Sequence, residues 1–223
     1  MSNVKVNGNT YASISSVRLP LADGSGYATF TEGAMVDNTV NLLISQCDRG
    51  DMTFEDVTDA YISAFGYNSG GTISFPNAAV VRGLCNKGNY DNMLFPKATK
   101  IDQCVSGIAS TFNGSTISGT LDLSALTSNA INNQIFYGTT IGTLLLGAYA
   151  PRDGIMGKAT ITNLWWNNTA ITAGDFATAL DEVTAVTNLY LPDAVYDDFK
   201  ALMDDGTITG VTNLYKISEW SGE

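Results

Sequence analysis

The tripeptide Thr-Asn-Leu stands at residues 162–164, again at 187–189 and again at 212–214, a constant step of 25 residues, and an aromatic ring follows each copy: Trp165, Tyr190 and Tyr215. Three matches in one register, at a period between about 20 and 50 residues, mark a chain built by stacking one small unit as a solenoid or a propeller. Weaker copies extend upstream. Gly142-Thr143-Leu144-Leu145-Leu146 echoes Gly119-Thr120-Leu121-Asp122-Leu123, and Leu94-Phe95-Pro96-Lys97-Ala98 echoes Ser74-Phe75-Pro76-Asn77-Ala78. Short strands are thereby predicted near residues 73, 93, 121, 144, 164, 189 and 214. A propeller blade needs four strands in roughly 40 residues, so one strand per unit leaves the solenoid.

Two of the connections carry helical spacing. Thr172-Ala173-Gly174-Asp175 offers a capping-box start, followed by Phe176, Leu180 and Val183 at i, i+4 and i+7. Asp193 is placed to cap a second helix, with Val195, Phe199 and Leu202 at the same spacing and Gly206 past the end. A strand followed by a helix or a turn, in about 25 residues, is the leucine-rich-repeat plan. Earlier connections, richer in Asn, Gly and Ser, are expected to be turns or 3-10 pieces. The predicted fold is mainly β with some helix: a leucine-rich-repeat-like solenoid with one strand per turn over residues 71–223, its far end capped by the last helix and Trp220.

Residues 1–33 differ from this pattern. Val4, Val6, Tyr11, Ile14, Val17 and Leu19 are strand material, broken by the hairpin turn Asn7-Gly8-Asn9 and by a loop over residues 22–26. Residues 27–31 alternate as a further strand. So short a segment buries no core of its own. It is read as an extended β arm that anchors the chain on another protein through Val4, Val6, Tyr11, Leu19, Tyr27 and Phe30. Over residues 34–70, Val36, Val40, Leu43 and Ile44, and then Val57, Tyr61 and Phe65, have helical spacing. Glu55, Asp56 and Asp59 lie early in the second run, where a helix dipole favours them. That stretch is predicted to be a helical or mixed cap.

Charge and missing residue types narrow the function. With 22 acidic residues against 11 basic ones, the net charge of −11 repels phosphate backbones and anionic membrane surfaces. No apolar run approaches the roughly 18 residues of a membrane helix, and the N-terminus shows no signal-peptide pattern, so synthesis in a cytoplasm without membrane insertion is expected. There is no histidine, which removes histidine-based triads and histidine-ligated metal sites. Cys47, Cys85 and Cys104 form no CxxC pair and are read as buried reduced thiols. Asp197, Asp198, Asp204 and Asp205 lack the EF-hand spacing and are read as a solvated helix face. Asp181 and Glu182, adjacent on a helix, project about 100° apart and do not converge as a catalytic pair. Neither a cofactor nor catalysis is called for.

The segments Thr72-Ile73-Ser74-Phe75-Pro76-Asn77-Ala78 and Met93-Leu94-Phe95-Pro96-Lys97-Ala98-Thr99-Lys100-Ile101 resemble the strand-Phe-Pro-x-Ala units of BspA-like leucine-rich-repeat proteins. The tail Leu189-Tyr190-Leu191-Pro192-Asp193-Ala194-Val195, continuing through Phe199 and closing with Lys216-Ile217-Ser218-Glu219-Trp220, is similar to the terminal cap of such proteins in phages of gut bacteria. The leader Val4-Lys5-Val6-Asn7-Gly8-Asn9-Thr10-Tyr11, with Val17-Arg18-Leu19-Pro20-Leu21-Ala22-Asp23-Gly24 and the Tyr27–Phe30 segment, is similar to the leader of the same phage proteins. The family's Ala-Phe-x-x-Cys turn is poorly kept, with Cys104 and Phe112 as its remnants. The resemblance implies a virion structural protein, a capsid decoration or a tail appendage, present as a homo-oligomer on the particle. Its N-terminal arm would bind other virion proteins and its solenoid the host surface or gut glycans.

The alternation of such a strand turns Leu144, Leu146, Leu164, Trp166, Leu189 and Leu191 inward. The outward column is then Ser74, Leu94, Asp122, Leu145, Trp165, Tyr190 and Tyr215. Strands about 4.8 Å apart make its last three members an aromatic ladder, and with Leu145 these form the candidate binding face. Competing readings invert the alternation, burying Trp165, or cover the column with a neighbouring subunit, the arm or the 34–70 segment. A bacterial cell-surface adhesin of the same repeat family is the alternative function. A solenoid glycan-cleaving enzyme is disfavoured because Asp122 is the one carboxylate in the outward column.

Overall fold

The computed structural model describes residues 51–55, 57–62, 69–82, 85, 87–102, 111–129, 135–148 and 155–221, together with the backbone of six short strands nearer the N-terminus. Those six are β1 (Val4–Val6), β2 (Asn9–Tyr11), β3 (Arg18–Pro20), β4 (Tyr27–Thr29), β5 (Met35–Val36) and β6 (Thr39–Val40). There follow β7 (Met52–Phe54), β8 (Asp59–Tyr61), β9 (Ser69–Ser74), β10 (Val80–Arg82), β11 (Asn89–Leu94), β12 (Lys100–Asp102), β13 (Thr116–Leu123), β14 (Ser128–Asn129), β15 (Thr140–Leu146) and β16 (Thr160–Trp166). The helices α1 (Ala173–Ala179) and α2 (Asp193–Asp204) alternate with β17 (Ala185–Leu191) and β18 (Val211–Lys216). The fold is mainly β. A ten-stranded sheet has the order β18-β17-β16-β15-β13-β11-β9-β7-β1-β2, and its run from β7 to β18 is parallel throughout. All seven strands expected from the repeat are present in it.

The shared unit is legible in what is buried. Ile73, Phe75, Ala78 and Val81 have no exposed surface, nor do Met93, Phe95, Ala98 and Ile101, nor Leu121, Leu123 and Leu126. The strand supplies the first of each set, its end or the residue just past it the second, and a tight turn the third. In that turn the amide of Ala78 donates to the Phe75 carbonyl at 3.2 Å, as Ala98 does to Phe95 and Leu126 to Leu123, both at 3.0 Å. Pro76 and Pro96 hold the second position of their turns, where a fixed φ suits the bend.

Two expectations are corrected here. The first is one strand per turn: β8, β10, β12 and β14 follow these bends and pair in parallel in a second, six-stranded sheet with β5 and β6. The second concerns the helical spacing read over residues 34–70, which gave a helical or mixed cap: where that stretch is described it consists of strands β5 to β8 and the start of β9, with bends and a 3-10 position at Ile62 between them. Met52, Phe54, Val57 and Ala60 repeat the buried spacing of the later units, and β7 pairs in parallel with β9. The repeat therefore begins some twenty residues before residue 71. Leu43, Ile44 and Phe65 lie outside the described residues.

Further along, helices replace the second-sheet strands. The predicted capping box of α1 is present: Asp175 N–H donates to Thr172 Oγ1 at 3.2 Å, and Thr172 N–H donates back to Asp175 Oδ2 at 2.8 Å. The Thr172 amide and, after it, the Thr172 hydroxyl, which also donates to Asp175 Oδ2 at 2.8 Å, hold the Asp175 carboxyl below its ordinary range. For α2 the expected Asp193 cap is absent. Pro192 takes the cap position without a side-chain bond, and the Asp193 carboxylate instead accepts from Ser218 Oγ at 2.8 Å.

The asparagine of the Thr-Asn-Leu tripeptide does more than mark the period. Asn213 Nδ2 donates to Asn188 Oδ1 at 3.0 Å, Asn188 Nδ2 to Asn163 Oδ1 at 2.8 Å, and Asn163 Nδ2 to Thr143 Oγ1 at 3.3 Å. Asn92 bridges Thr72 Oγ1 and the Thr120 amide in the same column. An amide is both donor and acceptor, so identical side chains stacked in register satisfy one another. Asn188→Ala breaks both of its rungs and is expected to cost about 1–2 kcal/mol in urea unfolding. An unchanged midpoint would show that the ladder adds no stability.

At the other edge, β1 and β2 form the hairpin expected around Asn7-Gly8, in the register Val6↔Asn9. This hairpin docks antiparallel on β7, pairing Val4 with Phe54 and Val6 with Met52. Part of the arm thus covers the edge of the main sheet, a surface that would otherwise template pairing with another chain. β3 and β4 form a separate antiparallel ribbon. No described helix is long and apolar enough to cross a membrane.

Candidate functional site

Strand register decides which residues share a face. The pairings Ser74↔Leu94, Leu94↔Asp122, Asp122↔Leu145, Leu145↔Trp165, Trp165↔Tyr190 and Tyr190↔Tyr215 place the whole predicted outward column in one unbroken row. Every member is half-buried, as expected for side chains crowded by neighbours on an open sheet face. On the other face Leu144, Leu146, Leu164, Trp166, Leu189 and Leu191 have no exposed surface, so the inverted alternation is excluded. Trp166 is held edge-on against Phe176 of α1, with centroids 5.0 Å apart and planes at 87°.

The ladder's geometry follows from its spacing. Tyr190 and Tyr215 are stacked with centroids 5.0 Å apart and planes 21° apart, close to the strand separation. Stacked at this spacing, the Tyr190 and Tyr215 rings stand upright on the sheet, each turning one face to the other and an edge outward. Trp220 packs edge-on against Tyr190, with centroids 4.7 Å apart and planes at 73°. Burial pushes the Tyr190 phenol above its ordinary value, and the charges of Tyr215 and Glu219 add to the effect.

Trp220 therefore lies against the ladder. A 3-10 turn over Ile217–Glu219 brings it there, closed by Lys216 N–H donating to Glu219 Oε2 at 2.8 Å and tethered to α2 through Ser218 and Asp193. Lys216 Nζ sits 5.1 Å from the centre of the Tyr196 ring. The reading that left the column either open or covered by another segment missed this partial cover by the chain's own tail. A lone tryptophan beyond the last repeat gave no periodic partner from which to place it.

Along each late strand the asparagine rung lies between the aromatic and an exposed threonine: Thr162, Thr187 and Thr212. Among the described residues no three side chains of the metal-binding types gather at one point. Asp122 Oδ1 accepts from the Ser124 amide at 2.9 Å, a local turn bond. Asp204 pairs with Lys200 at 2.8 Å across one turn of α2, and Asp205 accepts from the Thr207 amide. Cys85 is a buried thiol, and Ser115 Oγ donates to its backbone carbonyl at 2.7 Å. Phe112 is buried and stacked on Phe136 with centroids 5.9 Å apart. Of the candidate anchor residues, Val4, Val6, Tyr11, Leu19 and Tyr27 lie on β1 to β4, and Phe30 lies outside the described residues, as do Cys47 and Cys104.

No protein-family model, curated protein or solved structure matches this chain.

Proposed function

We propose that this chain is a non-enzymatic structural protein of a bacteriophage particle, a leucine-rich-repeat-like solenoid that displays a binding face to the host surface or to gut glycans. One observation carries the binding role: the outward column runs in register over the parallel strands and ends in upright aromatic rings on the face opposite the core. Rigid amphipathic rings bury much surface for little lost conformational freedom, which suits them to recognition. The solenoid reading is supported by strands that join the sheet in chain order and by buried sets that recur unit after unit. The phage assignment rests on the resemblance of the two ends.

In this reading the chain attaches to other virion proteins through residues 1–33. Because one edge of β1 is taken by β7, contact with the particle falls to β2, which ends the ten-stranded sheet, and to the β3–β4 ribbon. Many copies on one particle turn weak contacts into firm adhesion. The test is a cryo-EM map of intact particles from the source phage. Density joining residues 1–33 to a capsid or tail protein, with the aromatic column facing outward, is expected. Particles that lack the chain would remove the virion role and leave the binding face to the surface-adhesin alternative.

A further inference from the structure

We infer that the ligand of this face is an uncharged glycan, bound lengthwise across strands β15 to β18 beside the upright rings. The inference rests on the binding-face reading and specifies its chemistry. On these four strands the outward positions carry threonine, asparagine, glycine, alanine, leucine and aromatic side chains, and Lys216 stands in the opposite row, in register with Leu191. No carboxylate stands among them, although the chain has 22 acidic residues. Most acidic side chains of this region lie elsewhere: Asp175 on α1, Asp181 and Glu182 in the turn after it, Asp193, Asp197, Asp198 and Asp204 on α2, and Asp205 just past it; Glu219 in the tail turn is the one whose charge reaches Tyr190. A polycation would find a single carboxylate, Glu219, beside the face, and a polyanion would meet the repulsion of a net charge of −11. An apolar ligand would strip water from the threonine hydroxyls without replacing those bonds. A neutral chain of hydroxyls suits it.

The spacing agrees. Parallel register repeats the same trio, threonine, asparagine and aromatic, on successive strands about 4.8 Å apart. Sugar units along an extended chain recur at a similar distance, so one sugar can meet one rung. The asparagine amides are largely committed to one another, which fixes the rail and leaves recognition to the exposed hydroxyls of Thr162, Thr187 and Thr212 on one side and the ring edges and phenols on the other. Trp165 and Tyr190 then act as a wall against which the sugar's apolar edge packs.

The test uses the full chain in two arms. In the first, binding to neutral polysaccharides (mannan, galactan, dextran and β-glucan) is compared with binding to polygalacturonate and alginate by calorimetry, with oligosaccharides of rising length. Affinity is expected for a neutral polymer, growing with chain length up to about the number of rungs. The double variant Thr162→Val/Thr187→Val should weaken it about tenfold with stability retained, the scale of one lost hydrogen bond. In the second arm, labelled chain is bound to bacterial cells before and after periodate oxidation of their surface sugars. Preference for the acidic polymers, or cell binding that survives periodate yet falls with Tyr190→Ala, overturns the glycan inference and keeps the binding face. Cell and glycan binding both absent, or both indifferent to Tyr190→Ala, removes the face as well.

Discussion

Trp166→Ala is expected to cost about 3–5 kcal/mol, whereas Trp165→Ala, one residue earlier, should cost roughly 1 kcal/mol or less. The two side chains are the same and the backbone is the same strand, so the contrast isolates the face each one occupies. Trp166 has no exposed surface, lies in the row of Leu146 and carries α1 through Phe176. Its removal opens a cavity beneath a helix only two turns long, which has little stability away from the core. Against a total of about 5–15 kcal/mol, a loss of that size leaves the C-terminal half marginal. Unfolding in urea followed by far-UV circular dichroism measures both variants on one scale. Equal costs would mean that the alternation along β16 is not as described. The binding assays run in the opposite direction: Trp165→Ala removes part of the ladder from a folded protein and should abolish adhesion that Trp166→Ala loses only through unfolding.

That strand was readable because the unit 25 residues later carries Leu189, Tyr190 and Leu191, whose alternation separates Trp165 from Trp166 where residue type alone does not. The first described unit lacked that redundancy. Met52, Phe54, Val57 and Ala60 are spaced by two, three and three, since a short strand gives way at once to a tight bend. Spacings of three and four define a helix, so a chain that turns every few residues imitates one over a short window. Glu55 strengthened the imitation by taking the place that Pro76 and Pro96 hold in the later bends. The shared signal was the pair Met-x-Phe at 52–54 and 93–95, each followed three residues later by a small or branched apolar residue, Val57 and Ala98. Second-sheet strands such as β10 and β12, each three residues long, are too short for alternation to register at all. The asparagine ladder was visible as a repeat, but its rungs join residues 25 apart, and only the register shows that they touch. Trp220 depends on one bent turn and one tether to α2, neither of which has a periodic signature.

Phe75→Ala is expected to cost about 3–5 kcal/mol as well, but at the opposite end of the sheet and with a different outcome for function. Phe75 is the middle of three stacked rings, 4.7 Å from Phe54 with planes 10° apart and 5.4 Å from Phe95 with planes 7° apart. Its loss removes two aromatic contacts and leaves a void where the bends of three successive units meet. Stability in a stacked chain is held by each unit and its immediate neighbours. The damage should therefore fall on β7, β9 and β11, and on the β1–β2 hairpin that docks on β7. Hydrogen exchange resolves this: amides of residues 52–102 should lose protection while those of β16, β17 and β18 keep most of theirs. Uniform loss across both regions would show one cooperative block instead of a chain of coupled units. In the expected case the variant still presents Trp165, Tyr190 and Tyr215, so isolated chains retain adhesion while the hairpin end, assigned to the particle, loosens. Display and anchoring, as proposed, would then be separable by a single core substitution, because the faces proposed for them lie toward opposite ends of a sheet whose strands support chiefly their neighbours.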